Sequence, residues 1–300
     1  MMRRLLKSAA GKVLGGEVAN HRIRGRHGRD SLVLAFHNVV PDGEAPRGDH
    51  SLHLPLSDFV ELIDRLLEIF SPRSLQHVLL PADSPGLAIT FDDAYCGALS
   101  LALPELGRRG IPSTVFVPTA RIGNHEFWWD VLAGESGGLE PELREYVLRE
   151  MQGDETQVRA WAGARGLALA KMPDLWRSAT LEELRTASSL SGVALAPHSS
   201  SHRALDRLAQ DELQLELHGP LDWFQANGLP CGRTLAYPYG RWSPPVLAAT
   251  QRAGYEAGWL VSGGWTTSSS TNRFAMPRLN VPAGASVPNM MLRIAEFVGS

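Results

Sequence analysis

Short runs of apolar residues recur along most of the chain, and the segments between them carry the spacing of amphipathic helices. A continuous apolar run bounded by turn residues is typical of a strand buried inside an α/β protein. Seven segments match this pattern and are predicted strands: 32–36, 87–91, 114–117, 192–198, 234–239, 255–260 and 274–281. Strands that alternate with helices indicate a mainly parallel sheet with the helices outside it.

Four helices are predicted between these strands. Ser57 is a favourable N-cap for the first, whose apolar face is formed by Phe59, Leu62, Ile63, Leu66 and Leu67. The second covers 99–109 and stops at Gly110, which suits a helix C-terminus. The other two cover about 208–225 and 245–253.

Residues 119–190 interrupt the alternation of strands and helices. They contain Phe127-Trp-Trp-Asp130, followed by polar segments rich in Glu, Arg, Leu and Ala. No linker-like composition marks a separate domain, so we interpret this stretch as a helical insertion in one domain spanning 31–300. Seven strand–helix units in 300 residues fit a closed or nearly closed barrel better than an open sheet. The predicted fold class is therefore α/β, a distorted (β/α)7-type barrel with a helical insertion.

The charge of the chain is uneven. The net charge of −3 gives no indication of a nucleic-acid partner. Residues 1–29, however, carry eight Lys and Arg residues and a single acid, Glu17. We therefore predict a basic N-terminal arm over residues 1–30, a short helix followed by a loop. Such an arm could contact an anionic membrane surface or an acidic partner, or it could be a solvated lead-in.

The cysteine content and the hydropathy of the chain indicate in which cellular compartment the protein is expected. Cys96 and Cys231 are too few for a disulfide framework, and two free thiols fit a reducing environment. No apolar run is long enough to span a membrane, and the first residues lack the apolar core of a secretory signal. The expectation is a cytoplasmic protein that could rest on the inner face of the membrane through its basic arm.

Two adjacent acids, Asp92 and Asp93, stand where the predicted strand 87–91 ends. Burying an unpaired carboxylate is costly, so such a pair belongs in a solvated turn, beside a cation, or where one acid works as a base. In barrels of this type the chemistry lies at the carboxyl ends of the strands. His37, His198 and Tyr239 also fall at predicted strand ends.

His198 and His202 lie four residues apart at the end of the fourth predicted strand. Residues with this spacing share a face on one helical turn and can reach the same ion. A single pair of this kind is weak evidence, because histidines also occur in loops by chance. Together with one carboxylate, the two imidazoles make a three-ligand site with open positions, which is the arrangement of a catalytic metal.

Three segments resemble, in order, the first three motifs of the polysaccharide deacetylase family, also called the NodB-homology family or carbohydrate esterase family 4. They are Thr90-Phe-Asp-Asp93, His198-Ser-Ser-Ser-His202 and Tyr237-Pro-Tyr-Gly240, and Phe36-His-Asn-Val39 also resembles an opening motif of one branch. The resemblance runs from about residue 32 to 281, without most of 119–190. It implies a distorted (β/α) barrel that removes acetyl groups from N-acetylated sugars with a divalent metal. That metal is most often Zn²⁺, with Co²⁺ or Ni²⁺ as alternatives.

The resemblance also implies roles for individual residues. Asp92 corresponds to the general base, and the implied metal ligands are Asp93, His198 and His202. The backbone N–H at the position of Tyr239 would stabilise the oxyanion of the tetrahedral intermediate. Tyr237 and Pro238 would build the wall of the substrate groove, although an aromatic-Pro-aromatic-Gly segment is also an ordinary turn.

The chain departs from the family pattern in two places. Ala236 stands where many members carry an Arg that orients the base, and no Leu-x-His motif follows, since the last histidine is His218. The next Arg, Arg241, lies after Gly240. In the last predicted strand, Arg278 could enter the site and pair with Asp92, could bind substrate, or could form a surface ion pair. The proton for the leaving amine could come from His37, His125, protonated Asp92 or water.

Aromatic residues supply candidates for stacking on a sugar ring. Trp128 and Trp129 would cap the barrel mouth if the insertion folds over it, and Trp242 and Trp265 are further candidates. The competing interpretation is that these tryptophans belong to the core.

The predicted function is a metal-dependent deacetylase acting on an N-acetylated sugar or a sugar-containing intermediate made inside the cell. One alternative is hydrolysis of another C–N bond, as in a cyclic imide or ureide, on the same fold. A second alternative is an inactive relative that binds glycans or a protein partner, which the two departures favour and the intact acidic and histidine motifs oppose.

Overall fold

A computed structural model of the protein describes residues 30–45, 47–80, 83–134, 137–266 and 272–296. Each of the seven predicted strands contains one strand of the barrel wall or overlaps it closely. The wall consists of β1 (Ser31–Phe36), β5 (Gly86–Phe91), β6 (Ser113–Val117), β7 (Val193–Pro197), β8 (Thr234–Ala236), β9 (Ala257–Trp259) and β11 (Leu279–Asn280). Four short strands were not predicted: β2 (Asn38–Val40), β3 (His53–Pro55), β4 (Ser71–Pro72) and β10 (Trp265–Thr266). The predicted basic arm lies almost wholly outside the described residues.

The wall strands form a parallel barrel that closes incompletely. Strand β1 pairs in parallel with β5 on one side and with β11 on the other, and β6 and β7 continue the sheet beyond β5. Strands β8 and β9 pair with each other, and a parallel bridge from Trp259 to Met276 leads back towards β11. No ladder joins β7 to β8 within the described ranges, but the backbone N–H of Gly232 donates to Leu195 O at 2.8 Å across this seam. The predicted distorted (β/α) barrel is confirmed.

Helices cover the outside of the barrel. They are Leu56–Leu67, Leu103–Arg108, Trp128–Ala133, Pro141–Glu150, Glu155–Ala164, Leu181–Ser189, Gln210–Ala226, Pro244–Arg252 and Val287–Glu296, and one π-helical turn, Ala98–Ala102, precedes the second. The predicted cap at Ser57 is wrong, because the first helix begins at Leu56 and the Ser57 hydroxyl donates to Asp42 Oδ1. The sequence pattern also missed the last helix, Val287–Glu296, which packs against Leu56–Leu67.

Four of these helices lie within residues 119–190, where a helical insertion was predicted. The end of this stretch runs beside the loop that follows β5. The backbone N–H of Ala179 donates to Ala94 O, and that of Cys96 donates to Arg177 O, both at 2.8 Å. These bonds place the insertion at the carboxyl end of the barrel strands, where the site lies.

The apolar side chains of the strands and of the first helix form the core. Phe36, Phe59 and Phe91 are almost completely buried, and the Phe36 ring lies 5.2 Å from Phe59 and 5.7 Å from Phe91. Phe36 and Phe91 are the last residues of two paired strands, so the residues that follow them emerge at the same edge of the sheet. Among the described residues, no helix combines the length and the hydropathy needed to cross a bilayer.

Candidate active site

The chain turns sharply directly after β5, at the two acids. Asp93 has φ of 67° and Ala94 has φ of 51°, so two consecutive non-glycine residues adopt the left-handed conformation. Each such residue costs on the order of 1–3 kcal/mol and persists only where the surroundings fix it. Here the N–H of Asp92 donates to Phe36 O, and the carbonyl of Ala94 accepts from Ala179. The turn holds both carboxyl groups at the carboxyl end of the barrel.

The two histidines lie on a second strained loop, directly after β7. Ser199 has φ of 61° and His202 has φ of 64°. The N–H of His198 donates to Val117 O at 2.9 Å, which extends the β6–β7 pairing to the first histidine. The N–H of His202 donates to Ser199 Oγ at 3.1 Å, which closes the loop at the second. The His-x-x-x-His segment therefore forms a loop, and the two side chains converge without a helical turn.

Asp93, His198 and His202 meet in one buried cluster. Asp93 Oδ1 lies 2.9 Å from His202 Nε2 and 3.6 Å from His198 Nε2, and the two Nε2 atoms are 3.2 Å apart. Each of the three residues is at most 5% exposed. The three candidate ligand atoms lie within 4.8 Å of one another. The structure thus brings together the three residues that the resemblance implies as metal ligands.

The chemistry of these donor atoms fits a divalent metal ion. His198 Nδ1 donates to Ala236 O at 2.8 Å, which leaves Nε2 of that ring with its lone pair towards the cluster. Asp93 Oδ1 is buried and receives no hydrogen bond. Lone pairs that face one another at such distances repel unless a cation lies among them. Two imidazole nitrogens and one carboxylate oxygen are ligands that Zn²⁺, Co²⁺ and Ni²⁺ accept, with positions left open.

Burial sets the protonation of the three ligands. It lowers the pKa of His198 to about 4 and that of His202 to about 3, so both imidazoles are neutral near pH 7. It raises the pKa of Asp93 to about 6, against the attraction of the nearby histidines. Near neutral pH the cluster is therefore one carboxylate and two neutral imidazoles, the forms that bind metal.

Asp92 is paired with Arg278 inside the protein. Arg278 Nη1 and Nη2 donate to the two carboxylate oxygens at 2.7 and 2.8 Å, in the bidentate geometry that arginine favours. Arg278 also donates to Leu260 O and to Thr90 Oγ1, and it is 0% exposed. The alternative of a surface ion pair is therefore wrong. Burial alone would raise the pKa of Asp92, but the Arg278 guanidinium, together with His198 and His37, more than offsets this effect and holds the pKa well below its usual range.

A cavity opens above the cluster, referred to below as the site cavity. It is lined by His37, Ser51, Leu52, Asp92, Asp93, Trp129, Arg144, His198, His202, Tyr239, Gly240, Val261 and Asn280. His37 follows β1, and its Nδ1 atom is buried without a hydrogen-bond partner. Burial lowers the pKa of His37, although Asp93 and Asp92 act in the opposite sense. His37 is thus a titratable side chain of the wall that is neither a ligand candidate nor paired to Arg278.

Tyr239 and Trp129 form the aromatic part of the wall. Their ring centroids lie 4.6 and 5.0 Å from that of His202. Tyr239 has φ of 58°, so the backbone reverses at this residue, and its hydroxyl accepts from Trp128 Nε1 at 3.1 Å. Burial raises the pKa of Tyr239, which keeps the hydroxyl protonated. Trp129 Nε1 donates to the Tyr95 hydroxyl, so the indole plane is fixed.

Three residues expected at the substrate groove do not line the site cavity. Tyr237 is 0% exposed and its hydroxyl donates to Phe274 O, so it belongs to the packing between β8 and its neighbours. Pro238 is buried beside it. Trp128 is 1% exposed and lies next to Tyr239 as part of the core. The prediction that these three residues form the wall of the groove is therefore wrong. The reversal at Tyr239 presents only that residue and Gly240 of the turn to the cavity, and Trp128 packs in the core instead.

His125 is also placed away from the reaction site. It is exposed and lines a different surface pocket, with Arg121 and Arg159 among its neighbours. This removes one of the four proposed sources of the amine proton. Trp242 is 43% exposed and is not part of the site cavity wall.

The structure adds wall residues that were not predicted. Arg144 reaches the cavity from the helix Pro141–Glu150, and its Nη1 contacts Asp49 Oδ2 at 3.3 Å. No motif marks Arg144, because it lies in the insertion. Asn280 had a recognisable signal, since it follows Arg278 by two residues in the last predicted strand, and alternate residues of a strand share a face.

Comparisons with known proteins identify the family of the chain. The family model described as polysaccharide deacetylase matches residues 81–258, and the chain belongs to that family. YxkH of Bacillus subtilis (strain 168), which is named as a polysaccharide deacetylase of inferred function, is 21% identical over 261 residues, covering 85% of this chain and 72% of YxkH. The resemblance inferred from the sequence motifs is confirmed.

Solved structures share the fold. The Streptococcus pyogenes deacetylase PplD, solved in complex with acetate, aligns with a TM-score of 0.58 and 17% identity, covering 89% of this chain and 99% of PplD. IcaB from Ammonifex degensii aligns with a TM-score of 0.61 and 14% identity, covering 91% of this chain and 99% of IcaB. At identities this low, the structural similarity is evidence for a shared fold alone.

Proposed function

We propose that this protein is a metal-dependent N-deacetylase that hydrolyses the acetamido group of an N-acetylated sugar, in a glycan or a sugar-containing intermediate. The observation that carries the proposal is the buried cluster of Asp93, His198 and His202 beside a carboxylate, Asp92, that Arg278 keeps ionised. Membership of the polysaccharide deacetylase family supports the sugar as substrate class.

The cluster would hold the metal through Asp93, His198 and His202. A divalent cation bound there supplies Lewis-acid activation of the acetyl carbonyl and of a water molecule. The carbonyl of Ala236 fixes the ring of His198 for this task, because it accepts a hydrogen bond from Nδ1–H, on the side of the ring opposite to Nε2.

Asp92 would act as the general base. Its carboxylate is ionised at any pH near neutral, so it can accept the proton of the attacking water. Its low pKa also makes it a weak base, and we therefore expect the proton to pass on quickly rather than to stay. Arg278 fixes the carboxylate plane throughout, because both oxygens and a backbone carbonyl are tied to the same guanidinium.

Collapse of the tetrahedral intermediate breaks the C–N bond and releases acetate and a free amine. The backbone N–H of Tyr239 is the candidate donor to the oxyanion, because the left-handed turn brings this residue to the cavity. The nitrogen needs a proton as it leaves. Asp92 can return the one it accepted, and His37, which also lines the site cavity, is the second candidate.

Metal analysis and acetate release test the proposal on three variants and the wild type. The wild type should hold about one transition metal ion per chain and release acetate from substrates that contain N-acetylglucosamine. Asp92→Asn should keep the metal and lose about 10²–10⁴-fold in rate, the usual contribution of a general base. His198→Ala should lose the metal, and His37→Gln should lower the rate without metal loss if His37 protonates the amine.

An exposed acid provides the matched control, since Asp211→Asn changes the same functional group on the outer surface. A wild-type protein that binds metal and hydrolyses no acetylated sugar would contradict the proposal. It would point to another C–N bond, or to a binding protein that has lost its activity.

A further inference from the structure

Glu216 is a buried carboxylate that none of the sequence motifs includes. It lies on the helix Gln210–Ala226 and is 6% exposed. Its Oε2 accepts the backbone N–H groups of Ser200 at 3.0 Å and Ser201 at 2.8 Å, and its Oε1 accepts the Ser201 hydroxyl. In the part of the chain that the structure describes, no Lys or Arg forms an ion pair with it.

The groups that Glu216 holds are the residues between the two histidines. This loop is neither helix nor strand, so no regular ladder can satisfy its N–H groups. The N–H of His198 is bound by Val117 O and that of His202 by Ser199 Oγ. The N–H groups of Ser200 and Ser201 are bound by Glu216 instead, so one side chain fixes the centre of the loop.

The loop needs such a partner, because its conformation is strained at both ends. Ser199 and His202 adopt positive φ values without being glycine. The carbonyls of Ser199 and Ser200 accept from Thr119 and Ala120 on one side, and Glu216 binds the N–H groups on the other. Without Glu216 the loop is tied on one side only, and His202 can relax away from Asp93.

The chemistry of Glu216 suits this role. A buried carboxylate without an ion-pair partner is costly unless hydrogen bonds compensate it, and here two amides and a hydroxyl do so. A residue that served packing alone would be apolar at this position of the helix. The position faces the loop and not the site cavity, so Glu216 does not contact substrate.

We propose that Glu216 is a positioning residue that holds the loop 199–202 so that His202 binds the metal with Asp93 and His198. This proposal rests on the metal site of the proposed function. Residues that orient metal ligands typically contribute about 10–100-fold to metal affinity.

The test measures metal affinity by chelator competition, with Zn²⁺ as the probe, on folded wild type and variants. Glu216→Ala should bind Zn²⁺ about 10–100-fold more weakly than the wild type. Glu216→Gln should stay close to the wild type, since its amide oxygen can accept both N–H groups and its NH₂ can donate to Ser201 Oγ. The absorption bands of the Co²⁺-loaded protein should change in Glu216→Ala and be retained in Glu216→Gln.

Gln214→Ala is the matched control, because Gln214 is exposed on the same helix two residues away. If Glu216→Ala does not fold, Glu216→Asp is tested in its place. Its side chain keeps the charge but is one methylene too short to reach both amides, so the same loss of Zn²⁺ affinity is expected. A folded Glu216→Ala or Glu216→Asp variant with wild-type Zn²⁺ affinity and an unchanged Co²⁺ spectrum would overturn this proposal alone. A wild type that binds no metal would overturn the proposed function with it.

Discussion

At the scale of single residues, the pairing of Asp92 with Arg278 decides what the site can do. The two residues are 186 positions apart, and both are almost completely buried. Arg278 lies over the Phe116 ring, with Cζ 5.1 Å from its centroid, so the guanidinium is packed as well as paired. Arg278 donates four hydrogen bonds, of which two go to the Asp92 carboxylate, orient it and keep it charged. The other two hold the guanidinium in place. Of the three interpretations that the sequence left open for Arg278, the structure shows the pairing with Asp92.

We predict that Arg278→Met destabilises the protein by about 3–5 kcal/mol, because it leaves the buried charge of Asp92 without a partner. The pKa of Asp92 should then rise, since Arg278 is the main group that lowers it. Denaturant unfolding measures the first effect, and the acidic limb of the pH–rate profile measures the second. The double variant Asp92→Asn/Arg278→Met should recover part of the lost stability. The single variant Asp92→Asn completes the cycle, and a double variant whose loss of stability equals the sum of the two single losses would show that the pair is not coupled.

At the scale of elements, one short helix connects the insertion to the barrel mouth. Asp130, on the helix Trp128–Ala133, is 0% exposed and accepts from three groups. They are the Asp49 N–H at 2.8 Å, His53 Nε2 at 2.9 Å and the Tyr95 hydroxyl at 2.7 Å. The same hydroxyl accepts from Trp129 Nε1, so Asp130 fixes the indole that faces His202. The Phe127-Trp-Trp-Asp130 segment therefore works mainly as an anchor, and only Trp129 reaches the site cavity.

We expect Asp130→Ala to lower the free energy of unfolding by about 2–5 kcal/mol, because each buried donor left without a partner costs about 1–3 kcal/mol. Asp130→Asn should be milder, since an amide can still accept on one side and donate to Tyr95. Asp174→Ala is the control within the same insertion, because the Asp174 side chain is 85% exposed. A destabilisation no larger than that of Asp174→Ala, measured by urea unfolding, would show that the three bonds contribute nothing to stability.

At the scale of the whole molecule, folding gathers histidines into a site where burial disfavours their protonation. Burial lowers the pKa values of His37, His198 and His202 below their ordinary value. An unfolded histidine binds a proton below about pH 6.5, whereas folded His198 and His202 stay neutral until about pH 4 and 3. Over this range the unfolded state binds more protons, so acid favours unfolding. Asp93 acts in the opposite sense, because its folded pKa of about 6 lies above its unfolded value.

The metal-stripped protein should therefore be less stable at pH 5 than at pH 7, since three histidines outweigh one aspartate. Adding Zn²⁺ at pH 7 should raise the unfolding midpoint further, and this gain should shrink towards pH 5 as Asp93 takes up a proton. Urea titrations with and without chelator measure both effects. A stripped protein that is equally stable at the two pH values would contradict the sign of these pKa shifts.

The sequence alone determined the fold class and the candidate ligands. Buried parallel strands are apolar runs bounded by turn residues, a local pattern that remains readable without the structure. The two acids follow β5 directly, His198 follows β7 directly with His202 four residues further on, and parallel strands bring their carboxyl ends to one edge. Because few residues separate these side chains from the ends of their strands, their positions in the sequence nearly determine where they lie in the fold.

Only the tertiary structure decided which other residues join these acids and histidines in and around the site. Arg278, Arg144 and Glu216 come from distant elements, and each is defined by the group it contacts and not by its neighbours in the chain. Tyr237 and Trp128 are aromatic residues of the kind that stack on sugar rings, yet packing buries both. Local pattern specifies elements and their ends, because those depend on residues close in the chain. Which side chains face the cavity depends on how the elements pack, and that is settled only when the barrel and its insertion come together.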